Sequence, residues 1–168
     1  MRHSPAPVLT VDEAAVWAEA QRRHGRRVVF TNGVYDLMHP GHVEYLEAAR
    51  AQGDVLIVAV NSDRSVRVNK GPSRPILPEL ERAELIAALR VVDAAVVFDA
   101  ETPAEVIRRV QPDVLVKGAD WAADAIVGRD TVEARGGRVL RIELVPGYST
   151  SAIVEKVRRL PGCGPASR

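Results

Sequence analysis

The chain has 168 residues, 46% of them hydrophobic and 27% charged, which is enough for one globular domain with a substantial core. The 23 Lys and Arg residues nearly balance the 22 Asp and Glu residues, so the formal charge of +1 gives no reason to expect nucleic acid or a membrane surface as a partner. One cysteine, Cys163, rules out an internal disulfide, and neither a secretory signal nor a membrane span is recognisable, so we expect a cytoplasmic protein.

Helical and strand patterns alternate along the chain. Thr10 to Glu13 forms a capping box at the start of the first helix, and residues 102–105 form a similar box with Pro at the first helical position. Helices are predicted where apolar residues recur at helical spacing, at about 10–23, 41–52, 78–90, from 102 onwards, at 130–135 and at 151–160. Strands are predicted at short apolar runs, at about 27–31, 55–60, 91–98, 113–117 and 138–144.

This alternation predicts a single α/β domain. Its centre is a doubly wound, Rossmann-like parallel sheet of five strands with helices on both faces. The domain is expected to span residues 9–160, between a frayed Pro-rich segment at 1–8 and a disordered Gly- and Pro-containing tail at 161–168. After Asn61-Ser62-Asp63 at the end of the second strand, a polar, basic segment without predicted secondary structure runs to Pro75, and residues 69–75 are predicted to be a loop.

The stretch from residue 28 to residue 42 carries the clearest chemical signal. A buried strand ends at the turn Asn32-Gly33, and a helix begins close to His39 and His42. A strand that leads into a helix in this way places the free N–H groups of the helix at the carboxyl edge of the sheet, where α/β proteins hold phosphates. The two imidazoles are three residues apart, so both can face one anion and donate hydrogen bonds to it.

The sequence His39-Pro40-Gly41-His42 resembles the HxGH signature of the nucleotidyltransferase superfamily that includes the cytidylyltransferases. Residues 31–39 are similar to the cytidylyltransferase-like branch, which usually carries Phe at the position of Tyr35. The resemblance implies that His39 and His42 are catalytic. It also implies that the surrounding loop binds nucleotide and phosphate through Thr31, Asn32, Gly33, Tyr35 and Gly41.

A second anion site is predicted at the start of the last helix. Tyr148, Ser149, Thr150 and Ser151 resemble the family signature ISSTxIR, whose hydroxyls and helix N–H groups bind phosphate. The same residues are also ordinary helix-capping types. Val154 stands where the signature ends in Arg, so Lys156 or a distant Arg would have to supply that charge.

Other candidate residues follow the predicted strands. By resemblance, Lys70 reaches over the substrate phosphates and acts in catalysis, and the loop with Lys117, Gly118 and Asp120 lines the base and ribose. Arg82 and Arg90 either face the nucleotide or belong to a solvated helix face, and Asp63 either binds substrate or caps a turn. The weaker substrate-binding candidates are Asp36, which belongs to the family string and would orient ligand or metal, Asn61, Asp63, Arg74, Arg82 and Arg90.

The motifs together are most similar to the adenylyltransferase branch of ADP-heptose synthesis. This resemblance implies transfer of AMP from ATP to D-glycero-β-D-manno-heptose 1-phosphate, for lipopolysaccharide core synthesis, with Mg²⁺ carried mainly by the substrate phosphates. It also implies a homodimer and a pathway with a separate heptose kinase and phosphatase, because 168 residues leave no room for a kinase. Two alternatives remain open: a CTP-dependent cytidylyltransferase for glycerol 3-phosphate or another alcohol phosphate, and a non-catalytic nucleotide-binding module.

Overall fold

Strands and helices alternate along the part of the chain that the computed structural model describes, which is residues 4–120, 122 and 125–161. The strands in this part are β1 (Val8–Leu9), β2 (Val28–Gly33), β3 (Val55–Asn61), β4 (Ala94–Phe98), β5 (Val114–Gly118) and β6 (Arg138–Ile142). The helices are α1 (Val11–Arg23), α2 (Pro40–Arg50), α3 (Asp63–Lys70), α4 (Glu79–Ala87), α5 (Ala104–Val110), α6 (Arg129–Glu133) and α7 (Thr150–Arg158).

The strands form one parallel sheet in the order β1-β4-β3-β2-β5-β6. From β2 the chain adds β3 and β4 on one side and then crosses to add β5 and β6 on the other side. The order of the strands therefore reverses at β2, between β3 and β5. In open α/β sheets this reversal opens a crevice at the carboxyl edge, and ligands bind there.

Two hydrophobic cores lie on opposite faces of the sheet. One core packs Ala14 and Ala18 of α1 and Ile107 of α5 against inward-facing residues such as Phe30 and Ile57. The other core packs residues of α2 and α4, including Leu46 and Ile86, against the alternate strand positions such as Leu56. All seven residues of β3 are buried, as expected for a strand that is covered on both faces.

The predicted fold class is confirmed, but the predicted count of five strands is wrong. The additional strand is β1, a two-residue edge strand that pairs with β4. Ala6 N donates to Ala87 O at 2.9 Å and Ala95 N donates to Pro7 O at 2.9 Å, so residues 6–8 are anchored rather than frayed. Two apolar residues that follow a Pro-rich stretch are too short a pattern for a strand prediction, although an edge position tolerates proline.

The polar, basic segment before Pro75 contains a helix that was not predicted, because residues 63–70 form α3. Ser62 caps this helix by accepting a hydrogen bond from Ser65 N at 3.1 Å, and Gly71, at φ +90°, follows its last turn. No helix was predicted here because α3 contains only two apolar residues, Val66 and Val68, and of these only Val66 is buried.

One predicted capping box is confirmed and the other is wrong. At α1, Glu13 N donates to Thr10 Oγ1 at 3.2 Å, and Thr10 N donates to Glu13 Oε2 at 2.8 Å. At α5, no side chain caps the helix, and Glu105 instead accepts hydrogen bonds from Arg108.

Some features of the sequence lie outside this description. Cys163, Trp121 and most of the predicted tail, residues 162–168, are not among the described residues. Within the described part of the chain, none of the helices has the length and apolar character needed to cross a bilayer.

Candidate active site

The beginning of α2 lies at the carboxyl edge of β2, where the sequence predicts an anion site. His39 is the N-cap residue in an extended conformation, and no side chain caps the helix. The first turn of α2 also lacks an acidic residue, in contrast to α1, whose first turn contains Asp12 and Glu13. The positive end of the α2 dipole is therefore left available to an anionic ligand.

Four aromatic rings form a column at this helix start. The imidazoles of His39 and His42 stack with their ring centroids 3.7 Å apart and their planes inclined by 17°. Tyr35 contacts His42 edge-on at 5.4 Å, and Tyr148 lies nearly parallel to His39 at 6.2 Å. The structure thus brings His39 and His42 together with Tyr148, which immediately precedes the N-cap residue of α7.

Burial keeps both imidazoles neutral near pH 7. Burial lowers the pKa of His42 to about 4, and the neighbouring His39 lowers it further. Burial also lowers the pKa of His39, against a hydrogen bond with its own backbone that raises it. A neutral imidazole provides one N–H donor and one acceptor nitrogen, so the pair can donate to phosphate without bringing two positive charges into contact.

The Nδ1 atoms of both rings are buried and form no hydrogen bond with another described residue. Buried polar atoms in native proteins are generally paired with protein, water or ligand. The His39 ring already has the hydrogen bond with its own backbone, so Nδ1 of His42 is the atom whose pairing calls for an ordered water or a ligand.

Lys117 and Asn32 face each other across β5 and β2, at the point where the strand order reverses. Lys117 Nζ donates a hydrogen bond to Asn32 Oδ1. The lysine side chain is almost fully buried, and burial lowers its pKa to about 8, against the negative charge of Asp120, which raises it. The crevice therefore contains a buried lysine next to Asn32, and its predicted contact with the nucleotide stays a prediction.

Two glycines allow close packing around the site. A Cβ atom on Gly41 would lie 3.0 Å from Tyr148 Cβ and 3.2 Å from His39 Nδ1. A Cβ atom on Gly118 would overlap the carboxylate of Asp120 and lie 3.2 Å from a methyl group of Leu144. Any larger residue at 41 or 118 would displace the side chains around the ligand site.

The hydroxyl groups near α7 are largely engaged within the protein. Ser149 caps α7 by accepting a hydrogen bond from Ala152 N at 3.0 Å, and Thr150 Oγ1 donates to the backbone oxygen of Asp36 at 2.6 Å. Ser151 is exposed. The three residues lie beside HxGH, as the sequence predicts, and their contact with phosphate stays a prediction.

Two buried charged side chains brace the loops of this edge. The carboxylate of Asp36 accepts hydrogen bonds from Arg74 Nε at 2.7 Å, Ile76 N at 2.9 Å and Leu77 N at 3.0 Å. The guanidinium of Arg82 donates to the oxygens of Val34 (2.6 Å), Leu77 (2.9 Å) and Asp63 (2.7 Å, carboxylate). Arg82 is fully buried and Asp36 is 1% exposed.

These contacts correct several of the weaker substrate-binding predictions. Arg82 does not face a nucleotide, because all three of its described partners are internal oxygens. Asp36 does not orient a ligand or metal directly, because Arg74 and two N–H groups occupy its oxygens. Asp63 is the partner of Arg82, and Asn61 donates to Ser65 Oγ at 2.9 Å; the predicted substrate contacts of both stay predictions.

Two further predicted residues, Arg90 and Lys70, are exposed. Arg90 follows α4, just before β4 begins, so it lies at the amino edge of the sheet, and its substrate contact stays a prediction. Lys70 is the exposed last residue of α3, and its ammonium forms no hydrogen bond or ion pair with a described residue. Its reach to substrate phosphates stays a prediction.

Tyr45 is a site residue that the sequence analysis missed. Its hydroxyl forms a 2.8 Å hydrogen bond with Thr31 Oγ1, and burial raises the pKa of Tyr45 to about 12. Thr31 is fully buried and its hydroxyl takes part in this bond, and its contact with phosphate stays a prediction. The available signal was spacing, because Tyr45 follows His42 by three residues on the same face of α2.

A groove of about 700 Å³ lies beside this site, at the carboxyl ends of β3 and β4. Some of its polar lining residues are paired with each other: Ser62 and Arg64 donate to Asp99, and Asp63 N donates to Glu79 at 2.6 Å. Arg67 and Glu81 also line the groove and are exposed.

Comparisons with known proteins show the family to which the chain belongs. The cytidylyltransferase-like family model matches residues 30–159. The chain is 51% identical over 154 residues to the bifunctional protein HldE of Gluconobacter oxydans and covers 32% of that protein. It is 53% identical over 139 residues to HldE of Syntrophotalea carbinolica and covers 28% of it. These alignments cover 92% and 83% of this chain, respectively. The chain spans about a third of the length of the curated relatives it matches.

One solved structure gives the same result for the fold. It is the crystal structure of the lipopolysaccharide core biosynthesis protein from Thermoplasma volcanium, with a TM-score of 0.60 and 30% sequence identity. The match covers 72% of this chain and 98% of that one.

The depressed pKa of His42 predicts a pH-dependent contribution to stability. Because the folded-state pKa, about 4, lies below the ordinary value of 6.5, the unfolded chain takes up a proton first as the pH falls. The contribution is therefore fully present above about pH 6.5 and is lost as the pH falls toward 4.

Urea unfolding of the wild type and of His42→Gln from pH 7 to pH 4 measures this contribution. We expect the stability of the wild type relative to the variant to decrease as the pH falls through this range. Parallel stability curves for the two proteins would contradict the buried, neutral state of His42.

Proposed function

Since the chain belongs to the cytidylyltransferase-like family of nucleotidyltransferases, we propose that it transfers AMP from ATP to D-glycero-β-D-manno-heptose 1-phosphate. The products are ADP-heptose and pyrophosphate. The observation that carries the proposal is the neutral pair of stacked imidazoles at the uncapped start of α2, in the crevice where the strand order reverses. This arrangement is suited to a phosphate that gains negative charge during the reaction.

The choice of substrate is supported by the similarity to HldE proteins and to a lipopolysaccharide core biosynthesis protein. The sequence resemblance to the ADP-heptose branch points in the same direction. The HldE relatives are about three times as long as this chain and are named bifunctional. We therefore propose that the sugar 1-phosphate is supplied by a kinase and a phosphatase activity outside the segment described here.

The proposed reaction is a direct displacement at the α-phosphorus of ATP. An oxygen of the sugar phosphate attacks this phosphorus, the new P–O bond forms, and the bond to the β-phosphate oxygen breaks with its electron pair leaving on pyrophosphate. The attacking oxygen is already ionised near pH 7, so no general base is needed. The protein has to align the two phosphates and stabilise the charge that develops.

The described residues divide this task between them. The N–H groups of His39 and His42 and the start of α2 would donate to oxygens of the α-phosphate and of the leaving group. Lys117, held by Asn32, places positive charge on the nucleotide side of the crevice. Lys70 and the residues at the start of α7 are the candidates for the remaining phosphate oxygens.

Mg²⁺ enters the proposal as part of the ATP complex. Among the described residues, no group of three or more His, Cys, Asp or Glu side chains is arranged to hold a metal ion. The carboxylate of Asp36 is also committed to Arg74 and two backbone N–H groups. These residues do not form a metal site of their own, so no step of the proposed mechanism depends on one.

Location and assembly complete the proposal. A cytoplasmic location is consistent with the need for ATP, and we propose that the protein acts there. We also propose a homodimer, on the basis of the family resemblance.

Pyrophosphate release tests the proposed substrates. ATP, CTP, GTP and UTP are each combined with the α and β anomers of the heptose 1-phosphate and with glycerol 3-phosphate, in the presence of Mg²⁺. We expect release with ATP and the β-heptose phosphate. Release with CTP and an alcohol phosphate would keep the reaction type and overturn the substrate, and no release with any pair would favour a non-catalytic binding module.

Substitution of His39 tests the proposed chemistry. His39→Ala removes a preorganised donor, so we expect turnover to fall by about two orders of magnitude or more. His24→Ala is the matched control, because His24 is exposed at the end of α1, next to the amino edge of the sheet. Near-normal turnover of folded His39→Ala would contradict the assigned role.

A further inference from the structure

We infer that Asp36 is a positioning residue that sets the geometry of the His39–His42 pair. The expected effect of Asp36 on kcat rests on the proposed function, whereas its expected effect on the His42 ring does not. Asp36 precedes His39 by three residues, and three separate segments of the carboxyl edge meet at it: its own loop, residues 74–77, and the start of α7.

The carboxylate of Asp36 is buried, and both of its oxygens accept hydrogen bonds. The side chain of Asp36 is inaccessible to solvent, and its two oxygens accept hydrogen bonds from Arg74 Nε, Ile76 N and Leu77 N. Burial raises the pKa of Asp36, but the hydrogen bonds from Leu77 and Ile76 and the charge of Arg74 outweigh it and lower the pKa overall. The carboxylate is therefore ionised and fixed in place.

The backbone on each side of Asp36 is strained. Tyr35 and Leu37 have φ angles of 51° and 48°, in the left-handed region that non-glycine residues rarely adopt. Such a conformation persists only where the surrounding contacts determine it. Here the contacts are those of the Asp36 carboxylate, the bond from Arg82 to Val34 O, and the bond from Thr150 to Asp36 O.

The same loop backbone positions the two imidazoles. The left-handed residue Tyr35 places its ring edge-on to His42, with the two ring centroids 5.4 Å apart, and the loop after Leu37 brings His39 to the cap position of α2. Thr150 connects the same loop to α7, next to Tyr148, whose ring lies along His39. Loss of the Asp36 contacts would therefore let the loop relax and would hydrate both rings.

The test compares Asp36→Asn with a matched control, Asp93→Asn. Asp93 has the same kind of contacts, with Leu56 N at 2.7 Å and Arg50 Nε at 3.0 Å, but it precedes β4 and so lies at the amino edge of the sheet. Both variants lose an ion pair and part of a carboxylate–backbone contact. Only the first loses them next to the imidazoles.

The main readout is the titration of the His42 ring, followed by NMR of imidazole signals assigned with His42→Gln. The titratable groups in ring contact with His42 are His39 and Tyr35, and neither is altered by the substitutions. We expect the pKa of His42 to rise from about 4 toward its ordinary value in Asp36→Asn and to stay unchanged in Asp93→Asn. This measurement needs no substrate, so it stands even if the proposed reaction is not observed.

The kinetic readout separates positioning from binding. We expect Asp36→Asn to lower kcat by about 10- to 100-fold with little change in KM, because the phosphate groups bind but are misaligned. A fall in kcat with an unchanged His42 titration would show that Asp36 acts on the substrate directly and would overturn the inference, as would an unchanged titration together with unchanged kcat.

A milder variant keeps the inference testable if Asp36→Asn does not fold. Arg74→Gln removes the ion pair but leaves the carboxylate and its two backbone N–H donors in place. We expect the pKa of His42 to shift in the same direction by a smaller amount. An unshifted titration in a folded Arg74→Gln protein, with Asp36→Asn unfolded, would reduce Asp36 to a purely structural residue.

Discussion

The carboxyl edge of the sheet depends on two buried charges, Asp36 and Arg82, which hold separate loops together. A charge without a partner is costly inside a protein, so each of them must be surrounded by hydrogen-bond partners. Arg82 joins the loop after β2, the start of α3 and the segment before α4. Asp36 joins the loop after β2 and the segment before α4 to α7. Removing one partner of such a pair typically costs about 3–5 kcal/mol, and here it would also release the loop that carries the imidazoles.

The imidazole pair shows what this rigidity makes possible. Two histidines whose ring centroids lie 3.7 Å apart would repel each other if both were charged, and burial avoids the conflict by keeping them neutral. Neutral donors that are already oriented need no reorganisation when charge develops on a phosphate. Positive charge at the site then comes from the uncapped start of α2 and from Lys117, which lies on the neighbouring strand β5.

Sequence patterns predicted the fold and the centre of the site but not the bracing around it. Apolar runs located the long strands, and the HxGH string located the imidazoles, because both depend on residues close together in the chain. The edge strand β1 and helix α3 were missed because they contain too few apolar residues to form a pattern. Arg82 was misassigned for a different reason: its partners lie up to 48 positions away in the chain, so only the folded structure shows that this charge is buried.

The central claim is that the imidazoles align and stabilise the phosphates without forming a bond to them. A neutral imidazole is also a nucleophile, so a covalent nucleotidyl-histidine is the contrary mechanism. The most direct test is the stereochemistry at phosphorus, with ATP carrying a chiral α-phosphorothioate and the sugar 1-phosphate as acceptor. A single direct displacement predicts inversion of configuration in the product. Retention would indicate two successive displacements through an enzyme-bound nucleotide and would contradict this account.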